Sequence, residues 1–342
     1  MAVTLKDVAL LAGVSPSTVS RTCKDHPSIS DDTKEKVRRA MAELGYEPNP
    51  SNVCTPSQNI KTIGIIMPPS QKEVYENSFY LEMIRGISSF CNQKQYTTII
   101  VTGKDEEELF TSIQAIVQRE AVDGFILLYS KINDAVSNYL YNEGLLYVLI
   151  GKAEQYANQT IYIDNDNLLA GKEACEYLID MGHRDIAYIG KPFNLLFSAD
   201  RKAGYQLALV SHNIPVNPDY CIEVTENPAK RLETMQEFLT RPNRPSAIIV
   251  SDDILALTLE FVCMNLGISI PEDLSIVSFN NSLVARLTSP ALTSVDTHSF
   301  QLGIEAASQI INHIENPNLM ATKIIVPHTL VERNSCKSLL TE

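Results

Sequence analysis

The stretch TLKDVALLAGVSPSTVSRTCKDHPSISDDTKEKVRRAMAELGYEPN, Thr4 to Asn49, decides how the rest of the chain is read. Thr4 reads as a helix N-cap with Asp7 in the first turn, and Val8 and Leu11 follow at helical spacing until Ala12, Gly13 and Val14. Ser15 and Pro16 then supply a second N-cap and a proline at the first helical position, where its missing N–H costs nothing. They open SPSTVSRTC, in which Val19 faces inward and Ser17, Ser20 and Arg21 face out. A third helix starts near Ser30, carries Val37, Ala40, Met41 and Leu44 on one stripe, and stops at Gly45. Three short helices, the first two joined by a glycine turn, describe a helix-turn-helix unit.

Beyond this head, PNPSNVCTPSQNIK (residues 48–61) is rich in Pro, Ser and Asn without apolar period, which marks a linker. The pattern then changes to continuous apolar runs alternating with amphipathic helices, as in a parallel sheet covered on both faces. TIGIIM from Thr62, TTIIVT from Thr97, GFILLY from Gly124 and LLYVLI from Leu145 form one series of strands. DIAYIG from Asp185, CIEVTE from Cys221, SAIIVS from Ser246 and SIVSFN from Ser275 form a second, with helices over Leu168–Met181, Lys202–His212 and Ile254–Leu266 between them. The expected fold is an all-α helix-turn-helix head plus a two-lobed α/β body of two parallel-sheet subdomains. Its division is 1–48 for the helix-turn-helix head, 49–61 for the hinge or linker, and 62–342 for the body of two α/β subdomains. Ligands of such sheets sit outside the carboxyl ends of the strands, so the loops there are where binding residues collect.

Composition narrows the function classes. At 342 residues the chain has room for two or three domains, and 44% apolar with 20% charged residues is ordinary for a globular protein. The longest apolar stretches, such as IGIIMP and LLYVLIG, are too short to span a bilayer. Asp7 interrupts the apolar run of MAVTLKDVALLAGV, unlike the core of a secretory signal, so a cytoplasmic protein without membrane contact is expected. Seven cysteines without a CxxC pair read as reduced, structural thiols. The net charge of −13 lies entirely outside residues 1–60, where Lys6, Arg21, Lys24, Lys34, Lys36, Arg38 and Arg39 balance seven acids. Only this neutral head can approach a phosphate backbone cheaply.

The histidines show no HExxH spacing, and no phosphate loop, GxGxxG or GxSxG elbow is present, so no metal, no cofactor and no catalytic residues are assigned. The chain is not read as an enzyme.

From Thr4 to Asn49 the sequence closely resembles the LacI family of bacterial transcription repressors. The likeness continues through TIGIIMP, NSFYLEMIRGI, IDNDNLLAG, GHRDIAYIG, DRKAGYQLAL, SDDILAL, IPEDLSIVSFNN and SPALTSVDTHSFQLGIEAA. Within the family, VTGKDEEE from Val101, DGFILLYS from Asp123 and DNDN at Asp164 look most like maltose-operon repressors of Gram-positive bacteria. The resemblance implies a homodimer whose paired heads read a pseudo-palindromic operator, while the cleft takes a small sugar effector, maltose or maltodextrin. Pro16, Ser17 and Arg21 then fall at base-reading positions and Thr4, Ser15, Thr18 and Ser20 near phosphates. Arg21 alone of these offers the bidentate donors that read a base edge.

Asn49 and Thr55 complete the implied DNA contacts, and here the sequence departs from its relatives. Thr55 stands where the family has a leucine wedge for the minor groove, between Pro50 and Pro56, which puts the hinge helix and DNA bending in question. In the body the resemblance carries effector positions onto Phe79, Tyr80, Arg201, Asp252 and Asn280, with Tyr129 and Lys152 added after further strands. Asn280 replaces an aspartate common in the family. The sequence also leaves open a catabolite-control regulator with a phosphorylated carrier protein as co-repressor, a cytosolic carbohydrate-binding protein, and an unmarked sugar enzyme.

Overall fold

The computed structural model describes residues 5–14, 19, 22–23, 29–46, 61–70, 77–119, 121–225 and 227–340. The chain divides into two units, Met1–Ile60 and Lys61–Glu342.

In the first unit, α1 (Leu5–Ala12) has Asp7 in its first turn and is followed by Gly13 at φ +67°. α2 (Asp31–Leu44) is capped by Ser30, whose side chain accepts the Thr33 N–H, and ends on Gly45 in the left-handed region. Val8, Ala9, Val19, Val37 and Ala40 form the core, with Met41 and Leu44 packed against it. Leu11, expected inside with Val8, is 46% exposed, and Ala9 is buried instead. At about 100° per residue, a face centred between Val8 and Ala9 leaves Leu11 roughly 110° away.

From Lys61 strands and helices alternate. β1 (Thr62–Ile66), α3 (Ser78–Gln93), β2 (Thr97–Val101), α4 (Glu106–Gln118), β3 (Gly124–Leu127), α5 (Ala135–Asn142), β4 (Tyr147–Ile150) and β5 (Ile161–Asp164) build a first lobe. The chain crosses to a second lobe for α6 (Asn167–Asp180), β6 (Ile186–Gly190), α7 (Leu196–Ser211), β7 (Cys221–Glu223), α8 (Pro228–Leu239) and β8 (Ala247–Val250). There it continues through α9 (Asp253–Leu266), β9 (Ser275–Phe279), α10 (Leu283–Leu287) and β10 (Thr293–Asp296). It returns to the first lobe for α11 (Ser299–Glu315) and β11 (Lys323–Ile325), then crosses again to β12 (Thr329–Val331).

The sheet orders are β2-β1-β3-β4-β5-β11 and β7-β6-β8-β9-β10-β12. All pairs are parallel except β10 with β12. β1, β6, β8 and β9 are buried along their whole length, as their unbroken apolar runs require. β5, β10, β11 and β12 are absent from the strand series read in the sequence. IYID and TSVD mix polar groups into the run, and β11 and β12 are three-residue strands at sheet edges.

α7 begins at Leu196, six residues before the expected start, because its N-terminus has no side-chain cap to announce it. Its packing depends on two glycines. A Cβ on Gly171 of α6 would lie 2.2 Å from the Arg201 carbonyl oxygen, and one on Gly204 of α7 would lie 2.0 Å from that of Leu168. The two helices therefore touch backbone to backbone, which sets the height of Arg201 over the second sheet.

The cysteines of the described residues are unpaired, and burial pushes the Cys91 and Cys336 thiols up to about 11. Among the described residues no helix is long and apolar enough to cross a membrane.

Candidate functional site between the lobes

A cavity of about 740 Å³ opens between the lobes of the second unit, within the range of roughly 300–1,000 Å³ common for small-molecule sites. Residues one or two positions after β1, β3, β6, β8 and β9 line it, so it lies at the carboxyl ends of both sheets. Phe79, Tyr80, Tyr129, Arg201, Asp252 and Asn280 all reach its wall. Lys152 does not: it is outside the lining residues, with Nζ 3.4 Å from Asp200 Oδ2.

Phe79 and Tyr80 open α3, where Asn77 caps the helix by accepting the Phe79 N–H at 3.0 Å. Their rings meet edge to face at 5.3 Å and remain half-buried, leaving an aromatic surface on the first lobe. Tyr129 contributes mainly its ring. Burial raises its hydroxyl pKa well above the usual value, and the nearby Asp134, to which the hydroxyl is hydrogen-bonded, raises it further.

Arg201 is the hub of the second lobe. It is 3% exposed, donates from Nε to Asn167 Oδ1 at 2.8 Å and from one terminal nitrogen to the Ser251 carbonyl at 2.6 Å. Its guanidinium lies 4.2 Å from the Phe279 ring centroid and 5.0 Å from that of Phe197. Arg201 lies inside α7, and its hydrogen-bond partners are an amide and a carbonyl.

Asp252 caps α9, accepting the Leu255 N–H at 2.8 Å, and its other oxygen faces Lys191 Nζ at 2.9 Å. Burial would raise this carboxyl, but Lys191, the Leu255 N–H and Arg201 outweigh it and hold it below the usual range. Lys191 is itself raised, the Asp252 charge overcoming burial. Asn280 stands at φ +97°, and its Oδ1 accepts from Thr297 Oγ1 at 3.4 Å.

Several lining residues escape the sequence reading. Lys191 follows directly on β6, so the rule that sites gather after strands points to it. Asp164 ends β5 and its Oδ1 accepts from Asn167 Nδ2 at 2.9 Å. Burial, with Asp200 nearby, pushes the Asp164 carboxyl up to about 7 against the pull of Arg201 and Lys152. Phe197 and Arg231 carry no local signal; only the fold brings them to the cavity.

The positions expected to contact DNA, Thr4, Ser15, Pro16, Ser17, Thr18, Ser20, Arg21, Asn49 and Thr55, lie outside the described residues.

Comparison with known proteins places both units. Residues 4–49 match the model of bacterial regulatory proteins of the lacI family, and residues 175–336 match a periplasmic binding protein-like domain. The HTH-type transcriptional regulator MalR of Staphylococcus xylosus is 34% identical over 97% of this chain and 98% of its own. A lacI-type transcriptional regulator from Bacillus cereus subsp. cytotoxis NVH 391-98 superposes with TM-score 0.78 at 38% identity, covering 81% of this chain and 99% of that one. A structure from Staphylococcus aureus described as a maltose operon transcriptional repressor, malR, gives TM-score 0.75 at 30% identity over 82% of this chain and 99% of that one. With a relative this similar along nearly its whole length, the chain belongs to the lacI family of bacterial regulatory proteins.

Proposed function

We propose that the chain represses a sugar-utilisation operon, with maltose or a short maltodextrin binding the interlobe cleft and changing the affinity of paired heads for a pseudo-palindromic operator. The observation that carries the ligand class is the charge balance of the cleft wall, where Lys104, Lys131, Lys191, Arg201 and Arg231 stand with Asp105, Glu106, Asp134, Asp164 and Asp252. Lys191 is paired with Asp252, Lys131 with Glu106, and Arg201 spends donors on Asn167 and Ser251. Such a wall favours a neutral, hydroxyl-rich ligand over a phosphorylated one, and Phe79 and Tyr80 offer the apolar faces on which sugar rings stack. Similarity to a maltose operon repressor supports the particular sugar.

The head, residues 1–48, is assigned to the operator, with Arg21 the base reader, and 62–342 to effector binding and self-association. A second copy has a suitable surface. Leu257, Phe261 and Met264 on α9 are exposed, and so are Leu283 and Leu287 on α10. Among the described residues, Glu260 Oε1 in the α9 stripe is buried without a hydrogen-bond partner, while Arg286 beside Leu287 is exposed. Self-pairing of this face covers the apolar side chains and sets Glu260 of one copy against a cation of the same surface in the other.

The test is operator affinity, read by fluorescence anisotropy, with maltose, maltotriose, cellobiose or glucose 6-phosphate present. A shift with the maltose series is expected. A shift with the phosphorylated sugar alone defeats the neutral-ligand reading, and no operator binding at all defeats the assignment as a repressor.

A further inference from the structure

The chain passes between the lobes three times, at 165–166, 297–298 and 326–328. One side chain touches all three passages. Asn165 lies in the first, and its Nδ2 donates to the Thr297 carbonyl at 3.1 Å in the second and to the Val326 carbonyl at 2.8 Å in the third. Both amide hydrogens are thereby used. Asn165, Thr297 and Val326 are all buried, Asn165 at the border of the cleft, so losing the amide leaves two buried carbonyls without their donor. The first and third passages are joined a second time by the Val326 N–H, which donates to the Asp164 carbonyl at 2.8 Å.

The same three passages connect to the cleft wall. Thr297, whose carbonyl Asn165 holds, donates its hydroxyl to Asn280 Oδ1 at 3.4 Å. Asp164, adjacent to Asn165, accepts from Asn167, and Asn167 accepts from Arg201. Both side-chain chains end on positions assigned to the effector, Asn280 and Arg201.

We propose that Asn165 is the clasp of the interlobe hinge: by tying the three crossings at one point it confines the lobes to a single opening axis and couples cleft contacts to that motion. Three unlinked crossings could each absorb rotation through their own φ and ψ, allowing opening, twist and shear together. Bound to one amide, they rotate as one hinge. The coupling part rests on the proposed effector function; the mechanical part does not.

The experiment uses the full-length chain with dyes on unnatural residues at exposed Glu143 in the first lobe and Lys230 in the second. Single-molecule energy transfer is recorded with labelled chains diluted in unlabelled ones. Without sugar, the wild type is expected to give one narrow distribution, and Asn165→Ala a broadened or split one. Asn165→Asp, nearly isosteric but turning an oxygen toward two carbonyl oxygens, should do the same; it also serves if the alanine variant does not fold. Circular dichroism checks that each variant is folded at the temperature used. The second arm is the ratio of operator affinities without maltose and at saturating maltose, so that a weaker sugar contact at Asn165 itself does not enter; it is expected to fall toward one in both variants. Lower thermal stability with an unchanged distance distribution and an unchanged ratio would overturn the clasp and leave Asn165 a plain structural residue. A wild type that ignores every sugar sinks the effector reading instead, and the distance distributions then judge the clasp alone.

Discussion

Lys191 Nζ stands 2.9 Å from Asp252 Oδ2, joining the residues that follow two neighbouring strands, β6 and β8, across the floor of the cleft. Each charge corrects the other: the carboxylate is held below its usual range and the ammonium above it, although burial pushes both the opposite way. The pair also anchors α9 through the Asp252 cap.

Asp252→Asn keeps an oxygen for the Leu255 N–H and removes the charge facing Lys191. A loss of about 1–3 kcal/mol in urea unfolding is expected from the stranded ammonium, below the full cost of a dry ion pair because Lys191 borders the cavity. Asp252→Ala should lose about 1 kcal/mol more with the cap. Equal stability of the asparagine variant and the wild type would show the pair to be energetically idle.

Arg201→Lys tests the guanidinium as a fork. Lysine keeps the charge and cannot repeat the paired geometry toward Asn167 and Ser251, nor stack as well on Phe279. Effector affinity measured by calorimetry should fall roughly five- to hundredfold, the loss of about 1–3 kcal/mol for disrupted buried hydrogen bonds. Arg201→Ala should also lower the melting temperature, because a buried carbonyl and amide lose their donor. An unaltered affinity in the lysine variant would remove Arg201 from the ligand contacts.

Asp164 makes stability depend on pH with a definite sign. Its carboxyl is pushed up to about 7 in the folded chain, whereas an unfolded aspartate releases its proton near ~4. Between these values the native state binds more protons than the unfolded one, so stability falls as pH rises from ~4 to about 7 and then levels off. Asp164→Asn should flatten this part of the profile and gain on the wild type by up to a few kcal/mol, on the order of the shift, between pH 5 and 8. Parallel wild-type and variant curves from denaturant unfolding over that interval would contradict the assignment.

Phe261, 48% exposed on α9, is the largest side chain of the face assigned to self-association. Phe261→Asp places a charge beside Glu260, already pushed up to about 7 by burial. Sedimentation is expected to show a dimer for the wild type and at least a tenfold weaker dimer for the variant, with helical content unchanged. A variant that stays dimeric at the same concentrations moves the interface elsewhere.

What the amino-acid order alone determines here is set by short-range energetics. Ser30 and Gly45 bound α2 through their own capping geometry, and runs such as TIGII and AIIV become buried parallel strands because nothing polar interrupts them. The polar-tipped β5, the uncapped start of α7 and the edge strands β11 and β12 gave no such local signal. The likeness from Thr4 to Asn49 likewise lies in contiguous residues, and the positions that the likeness of the body carries over, Phe79, Tyr80, Arg201, Asp252 and Asn280, reach the cavity wall, as does Tyr129, whereas Lys152, added after a further strand, does not. The tertiary structure alone decides which polar groups meet. Asn165 finds partners 132 and 161 positions away, and Lys191 meets Asp252 only because β8 lies beside β6. Such pairings follow from sheet order and from the returns of the chain between the lobes, and no window of neighbouring residues contains both members of the pair.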